Sequence, residues 1–427
     1  MLDFIFQKTR NIIENMGLKN SKVLAQNFAA LSILQFLSYF FPLITVPYLT
    51  RVMTMEHYGF IALANASIIY FAAIIDFGFA FSGTKKIAEN REDNLLISKI
   101  VSTVVVAKMC LSVISFIGLL VLIYTVDVFA EIKLLMLLFF FLNTARIFSL
   151  DWFFQGMENM KYITVLNIFT RTIFLILVFV VIKEDSDYVY YPMVLAMGYY
   201  LSEILAWIIA IKKFNIRIIK PKSTDIILSI KNSFDIFITQ ISHSIYNTLS
   251  LSVMGVICGP VANATYDAAY KFVQAVHNML LCISRAFFPF LARNRDKHHL
   301  YAFIVLTVSA IASITLSLLA KPIISIIYPD TFGESIQVLR ILAFMPLGLA
   351  FVNAYGINFL VIYDKQALMR KIVLSTSILG FIIAIFAVKF FGVIGITCTI
   401  VATSFACGIL LMFASIYIKK KHQQTEL

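Results

Sequence analysis

Residues 95–124 read LLISKIVSTVVVAKMCLSVISFIGLLVLIY, and their only charges are Lys99 and Lys108. A helix rises about 1.5 Å per residue, so the run exceeds the roughly 20 apolar residues that cross a bilayer. It predicts a membrane-spanning helix. A charge at the bilayer centre costs at least about 2.5–3.5 kcal/mol, so it faces a cavity or a partner. Lys99 is close enough to one end to snorkel, whereas Lys108 is near the middle.

Comparable runs recur on both sides of it, at 24–49, 58–82, 132–156, 160–182, 188–211, 226–257, 264–291, 299–328, 335–362, 366–388 and 393–418. About twelve transmembrane helices follow, with short connections, the longest being 212–225. Closed barrels show roughly ten-residue alternating strands instead, so the fold class is an all-α integral membrane protein. Composition agrees, with 60% hydrophobic and 14% charged residues against about 25% charged in soluble domains. Residues 1–23 are polar, and the apolar run after them is too long for a signal h-region, so it reads as the first span. The five cysteines sit in or beside apolar runs without metal-ligand spacing. No disulfide framework, metal site or cofactor is expected.

Orientation follows from Lys and Arg. With the N-terminus inside, the inner segments collect 23 cations and the outer ones only Arg51, Lys133, Lys183 and Lys389. Both termini are therefore expected in the cytoplasm. The net charge of +12 is then topology signal and contact with anionic lipid, not a nucleic-acid surface. A shift of 205 positions superimposes span starts, 95 on 300, 160 on 365 and 188 on 393, and sets Gln35 on Gln240 and Ala64 on Ala269. This predicts two parallel-related six-helix lobes around a central cavity, 1–211 and 226–427, joined by a basic cytoplasmic linker, 212–225.

The charges left inside spans are Lys99, Lys108, Arg146, Arg171, Lys271, Arg285, Lys321 and Arg340, with Asp76, Asp151, Glu203, Asp235 and Asp267. One reading is a cationic cavity for an anionic substrate, with Arg146 and Arg171 at its base and Lys108, Lys271 and Arg285 as further candidates. Arginine suits a phosphate because its planar fork donates two hydrogen bonds at once. The other reading is structural ion pairing; Asp267 and Lys271, at i and i+4, suit a local pair. Asp151 lies five residues after Arg146, roughly 140° around a helix, and is a poor local partner for it. Asp76, Asp235 and His243 are candidates to carry a coupling ion. His298 and His299 read as part of a solvated basic loop. There is no HExxH, Gly-rich phosphate loop or GxSxG, so no catalytic residue is assigned.

Several strings carry a resemblance. They are Pro47-Tyr48-Leu49-Thr50-Arg51-Val52, Tyr58-Gly59, Phe77-Gly78-Phe79 and Ser82-Gly83-Thr84-Lys85-Lys86-Ile87-Ala88. Asp151-Trp152-Phe153-Phe154-Gln155-Gly156-Met157-Glu158 follows, then Met160-Lys161-Tyr162-Ile163. The second half adds Gly259-Pro260, Tyr266-Asp267-Ala268-Ala269-Tyr270-Lys271 and Phe288-Pro289. Over essentially the whole chain these resemble the O-antigen flippases (Wzx, also called RfbX) of the polysaccharide transporter family, within the multidrug/oligosaccharidyl-lipid/polysaccharide exporter superfamily. Members often carry Leu-Gly-Pro-Glu where Met53-Thr54-Met55-Glu56 stands here. The resemblance implies a bacterial inner-membrane protein that moves undecaprenyl-diphosphate-linked oligosaccharide to the periplasmic leaflet by alternating access. It implies that lipid-linked substrate, membrane lipids and other O-antigen assembly proteins as partners; a monomer suffices. Two alternatives remain. A multidrug-type small-molecule exporter would share the lobes, and an O-antigen polymerase or ligase would need a large outer loop that this chain lacks.

Overall fold

The computed structural model describes residues 41–42, 44–293, 295–363 and 365–425, so the predicted first span lies largely outside the described residues. The described chain is helical. In order come α1 (Met55–Asp76), α2 (Phe79–Glu89), α3 (Asn94–Thr125), α4 (Asp127–Glu131), α5 (Lys133–Phe148), α6 (Asp151–Gly156), α7 (Met160–Val181) and α8 (Tyr191–Phe214). They are followed by α9 (Ser223–Cys258), α10 (Pro260–Arg293), α11 (His298–Leu318), α12 (Ala320–Ile327), α13 (Ser335–Leu342), α14 (Met345–Phe351), a π-helical stretch Val352–Val361 and α15 (Gln366–Thr425). Among the described residues eight helical segments are long and apolar enough to cross a membrane. One of these, Gln366–Lys419, holds two predicted spans, because Gly392 at φ 55°, ψ −138° breaks α15 between them. α9 and α10, 36 and 34 residues long, fall on two further predicted spans.

Solvent-facing apolar side chains support the bilayer reading. On α3, Val113, Ile114, Ile117 and Val121 are exposed and recur at helical spacing on one side. Water would not tolerate that stripe; lipid chains do.

The described chain divides into two compact units. The first is Ile68–Gln240 with the residues up to Val46, and the second is Pro47–Ser67 with Ile241–Leu427. The core of the first unit gathers Phe77, Phe79, Leu150, Trp152, Phe153, Phe154 and Leu166. Small residues let its helices close. A Cβ on Gly83 would stand 2.6 Å from the Trp152 ring, and one on Gly156 would stand 2.8 Å from Ile87. Thr84 Oγ1 donates to Trp152 O at 3.0 Å across the same contact. Phe153, Phe154, Tyr162 and Phe214 make edge and tilted ring contacts, and Lys161 and Lys213 both lie over the Tyr162 ring. The aromatic strings quoted above thus build packing at the basic end of this unit.

The segment after α8 is held down. Asn215 adopts φ 53° to end the helix, and residues 215–222 run without helix. Arg217 N–H donates to Ser98 Oγ at 3.0 Å and Ile219 N–H donates to Ser102 Oγ at 2.9 Å. Serines at i and i+4 on one face of α3 thereby receive alternate amides of an extended chain.

In the second unit the Tyr58-Gly59 and Gly259-Pro260 strings meet. A Cβ on Gly59 would fall 2.0 Å from Pro260 O, so that contact requires glycine. Asn358 in the π-helical stretch donates through Nδ2 to Ser284 Oγ at 2.6 Å and Tyr301 Oη at 2.8 Å. His298 corrects an expectation. It is buried rather than solvated, with Nε2 2.9 Å from Ala354 O, because the chain enters α11 there and the ring packs on Phe359.

Candidate functional site

Two predicted spans are interrupted within the first unit, and the breaks bring its charges together. The span predicted at 58–82 stops at Asp76 and resumes as α2, which continues to Glu89. Phe77 and Gly78 take φ 39° and 75°, and a Cβ on Gly78 would also stand 2.9 Å from Ile236. The span predicted at 132–156 breaks after Phe148, where Ser149 is extended at φ −62°, ψ 126°. Asp76, Arg146 and Asp151 therefore all lie within a few residues of an interrupted helix.

Asp76 sits between two cations. Its Oδ1 accepts from Lys108 Nζ at 2.9 Å and its Oδ2 from Arg146 Nη1 at 3.1 Å. Lys108 also donates to Arg146 O at 2.9 Å, a carbonyl near the end of α5. The Lys108 side chain is only 3% exposed, whereas that of Arg146 is 49% exposed. Lys108 thus holds the cluster from behind and Arg146 presents its face. Arg146 Nε donates to Asn143 Oδ1 at 3.3 Å, one turn earlier on α5. Described residues engage two of its five N–H donors, and the rest can meet a ligand.

The break after Phe148 leaves carbonyls and amides that no helix satisfies. Side chains supply the partners. Trp207 Nε1 donates to Phe148 O at 3.0 Å, and Trp152 Nε1 donates to Ser149 O at 2.9 Å. The Glu203 carboxyl lies against Ser149 and Leu150. Asp151 accepts from the Asn167 side chain and not from Arg146, in keeping with its angular offset on the helix. Arg171 lies one turn beyond Asn167 on α7, half-buried. Asp76, Asp151 and Glu203 therefore bring three carboxyl groups to the part of the unit that holds Lys108 and Arg146.

The remaining candidates lie elsewhere. In the second unit Lys271 pairs with Asp267 at 2.6 Å, the local i, i+4 pair expected. Tyr58 Oη donates to Asp267 Oδ2 at 2.8 Å and also meets Lys271 Nζ, and Phe332 closes edge-on against the Tyr58 ring. The side chains of Asp235, His243 and Arg285 lie outside the described residues. Sequence reasoning missed Asn143, Asn167, Glu203 and the two tryptophans as parts of the cluster. The isolated Gly78 was the one available signal for a break.

Charge gathered where membrane helices are interrupted is a construction of multi-pass transporters. Residues 24–295 match the family described as polysaccharide biosynthesis protein, and the chain belongs to it. It is 25% identical over 403 residues to a protein of Escherichia coli (strain K12) named "Putative O-antigen transporter", covering 92% of this chain and 97% of that one. A protein of the same name from Shigella dysenteriae is 23% identical over 384 residues, covering 88% and 96%. The fold is that of a multidrug resistance MATE family transporter of the MOP superfamily in its inward-facing conformation (TM-score 0.69, 13% identity, covering 94% of this chain and 100% of that one). It is also similar to the lipid II flippase MurJ in an inward closed conformation (TM-score 0.67, 15% identity, covering 90% of this chain and 86% of that one).

Proposed function

We propose that this protein flips undecaprenyl-diphosphate-linked O-antigen repeat units from the cytoplasmic to the periplasmic leaflet of the bacterial inner membrane. In this reading both termini are cytoplasmic, residues 1–211 and 226–427 are the two lobes, and 212–225 is the linker between them. The family and the names of the relatives support the substrate class. The observation that carries the chemistry is Arg146, a half-exposed guanidinium held at a helix break by Asp76 and Asn143.

A diphosphate can compete with Asp76 for that guanidinium. The phosphate oxygens offer the bidentate geometry that arginine favours, and they arrive with their own hydrocarbon tail in lipid. Lys108 is a positioning residue that keeps Asp76 and the α5 terminus in place. The polar head, too costly to cross hydrocarbon unaided, then moves past fixed charges while the tail stays in the bilayer.

The test is the periplasmic appearance of lipid-linked repeat unit in cells lacking the gene, complemented by wild type or by Arg146→Ala. Wild type restores flipping, and Arg146→Ala at matched expression lowers it about tenfold or more, the loss of a charge-assisted contact. Near-normal flipping by Arg146→Ala overturns the role of this residue. Repeat unit that still reaches the periplasm in the deletion strain overturns the flippase reading itself.

One observation favours a second reading, export of small organic cations. Asp76, Asp151 and Glu203 place three carboxyl groups beside Lys108 and Arg146, acceptors that an organic cation can meet. Efflux of a cationic dye that depends on this protein, without repeat-unit flipping, would select it.

A further inference from the structure

At the basic end of the first unit a cavity of about 220 Å³ opens between α2, the start of α3 and the start of α9. None of the residues of the Arg146 cluster lines it. Its charges are Lys86, Lys99 and Asp225, and its floor carries Ser82, Asn90 and Thr103. The space is smaller than the ~300 Å³ at which drug-sized pockets begin. A phosphate or a glycerophosphate fits.

The polar groups on the floor are already engaged. Asn90 Nδ2 donates to Lys86 O at 2.8 Å and Thr103 Oγ1 donates to Lys99 O at 2.7 Å. Ser82 Oγ lies 2.7 Å from Ser233 Oγ. The first amides of α3 are capped by Asp93, which accepts from Leu95 and Leu96 N–H. The lysines are what can recognise a ligand. Lys99 Nζ lies 2.9 Å from Asp225 Oδ2 and keeps two further N–H donors. Lys85, the neighbour of Lys86, reaches Glu89, whereas no described carboxylate pairs with Lys86. The cavity lining therefore carries two ammonium groups, Lys86 and Lys99, against one carboxylate, Asp225. That surplus attracts anions of the headgroup layer.

We propose that this cavity binds a phosphate-ester anion between Lys86 and Lys99, at a site separate from the Arg146 cluster and independent of the flippase reading. The phosphate can belong to an anionic phospholipid of the same leaflet or to the diphosphate of a polyprenyl lipid. Bound there, it shares Lys99 with Asp225 at the start of α9. It thus draws on the same contact that anchors the chain just after the pinned 215–222 segment.

The test uses the full-length protein in detergent, titrated separately with dihexanoyl phosphatidylglycerol, inorganic phosphate and undecaprenyl diphosphate, with thermal stabilisation as the readout. At least one probe stabilises wild type. Lys86→Gln and Lys99→Gln each raise its apparent Kd about tenfold, the loss of one charge-assisted hydrogen bond. Lys86→Arg retains binding, and Lys85→Gln, outside the cavity, behaves as wild type. Phosphatidylglycerol or phosphate acting through Lys86 assigns the site to the general phospholipid headgroup, and undecaprenyl diphosphate alone acting through Lys86 assigns it to the polyprenyl lipid. The proposal is overturned if no probe stabilises the protein, or if Lys85→Gln weakens binding as much as Lys86→Gln, which means diffuse surface charge. It is also overturned if binding is lost in Arg146→Ala but kept in Lys86→Gln.

Discussion

The two units hold membrane charge in different ways. In the first, charges on different helices meet where two spans are interrupted, and one acid, Asp76, is shared by Lys108 and Arg146. In the second, Asp267 and Lys271 are neighbours on one unbroken helix, and Tyr58 closes over them. A local pair on a regular helix needs nothing but its own spacing. A pair at a break needs the break itself to be built, and at 146–150 that takes two indoles, a carboxyl group and an ammonium. The first arrangement can change when the helices move; the second travels as one piece.

Asp76→Asn should show the largest effect. It leaves Lys108 buried without its counter-charge, and such losses cost about 3–5 kcal/mol. Lys108→Met should cost clearly less, because Asp76 keeps Arg146. Unfolding in mixed detergent measures both, and equal destabilisation would show that Arg146 does not support Asp76. In the second unit the comparable weak point is steric. Gly59→Ala drives a Cβ into Pro260 O and should cost about 1–3 kcal/mol, read by the same unfolding assay; a neutral result would mean the two strings can part.

Lys271→Met probes the local pair directly and should cost about 1 kcal/mol, because half-buried Asp267 keeps the Tyr58 hydroxyl as a donor. A loss as large as that of Asp76→Asn would erase the contrast between the units. The smallest effect belongs to Glu158, whose carboxyl is held below the ordinary glutamate value by a 2.7 Å hydrogen bond from Arg91 and its charge. A depressed carboxyl stabilises the folded state above its unfolded pKa of about 4.3 and loses that contribution as pH falls through the folded value. Glu158→Gln should therefore cost about 0.5 kcal/mol near neutral pH and nothing in strong acid, as melting curves at the two pH values would show.

Much of the fold was legible because length and apolarity are read one residue at a time. The runs at 95–124 and 160–182 correspond closely to Asn94–Thr125 and Met160–Val181. The helical stretch Gln366–Thr425 is divided at a glycine, Gly392, beside the expected boundary. The cluster was legible only in part. Lys108 and Arg146 stood out as charges in apolar surroundings, but which acid faces them depends on helices that are 32 and 70 residues from Asp76 in sequence. The break at Ser149 has neither glycine nor proline, so no local propensity announces it. His298 was misread for a similar reason: a histidine between Lys297 and His299 reads as polar loop, and only the packing of the π-helical stretch buries it.

The tryptophans at the second break have a further use. The chain contains two, and each donates its indole N–H to a carbonyl of that interruption. Light absorbed at the red edge of the spectrum, where tyrosine is blind, therefore excites a single locality. The protein carries its own optical gauge, and colour and polarisation of its emission follow one turn of backbone without any dye being attached.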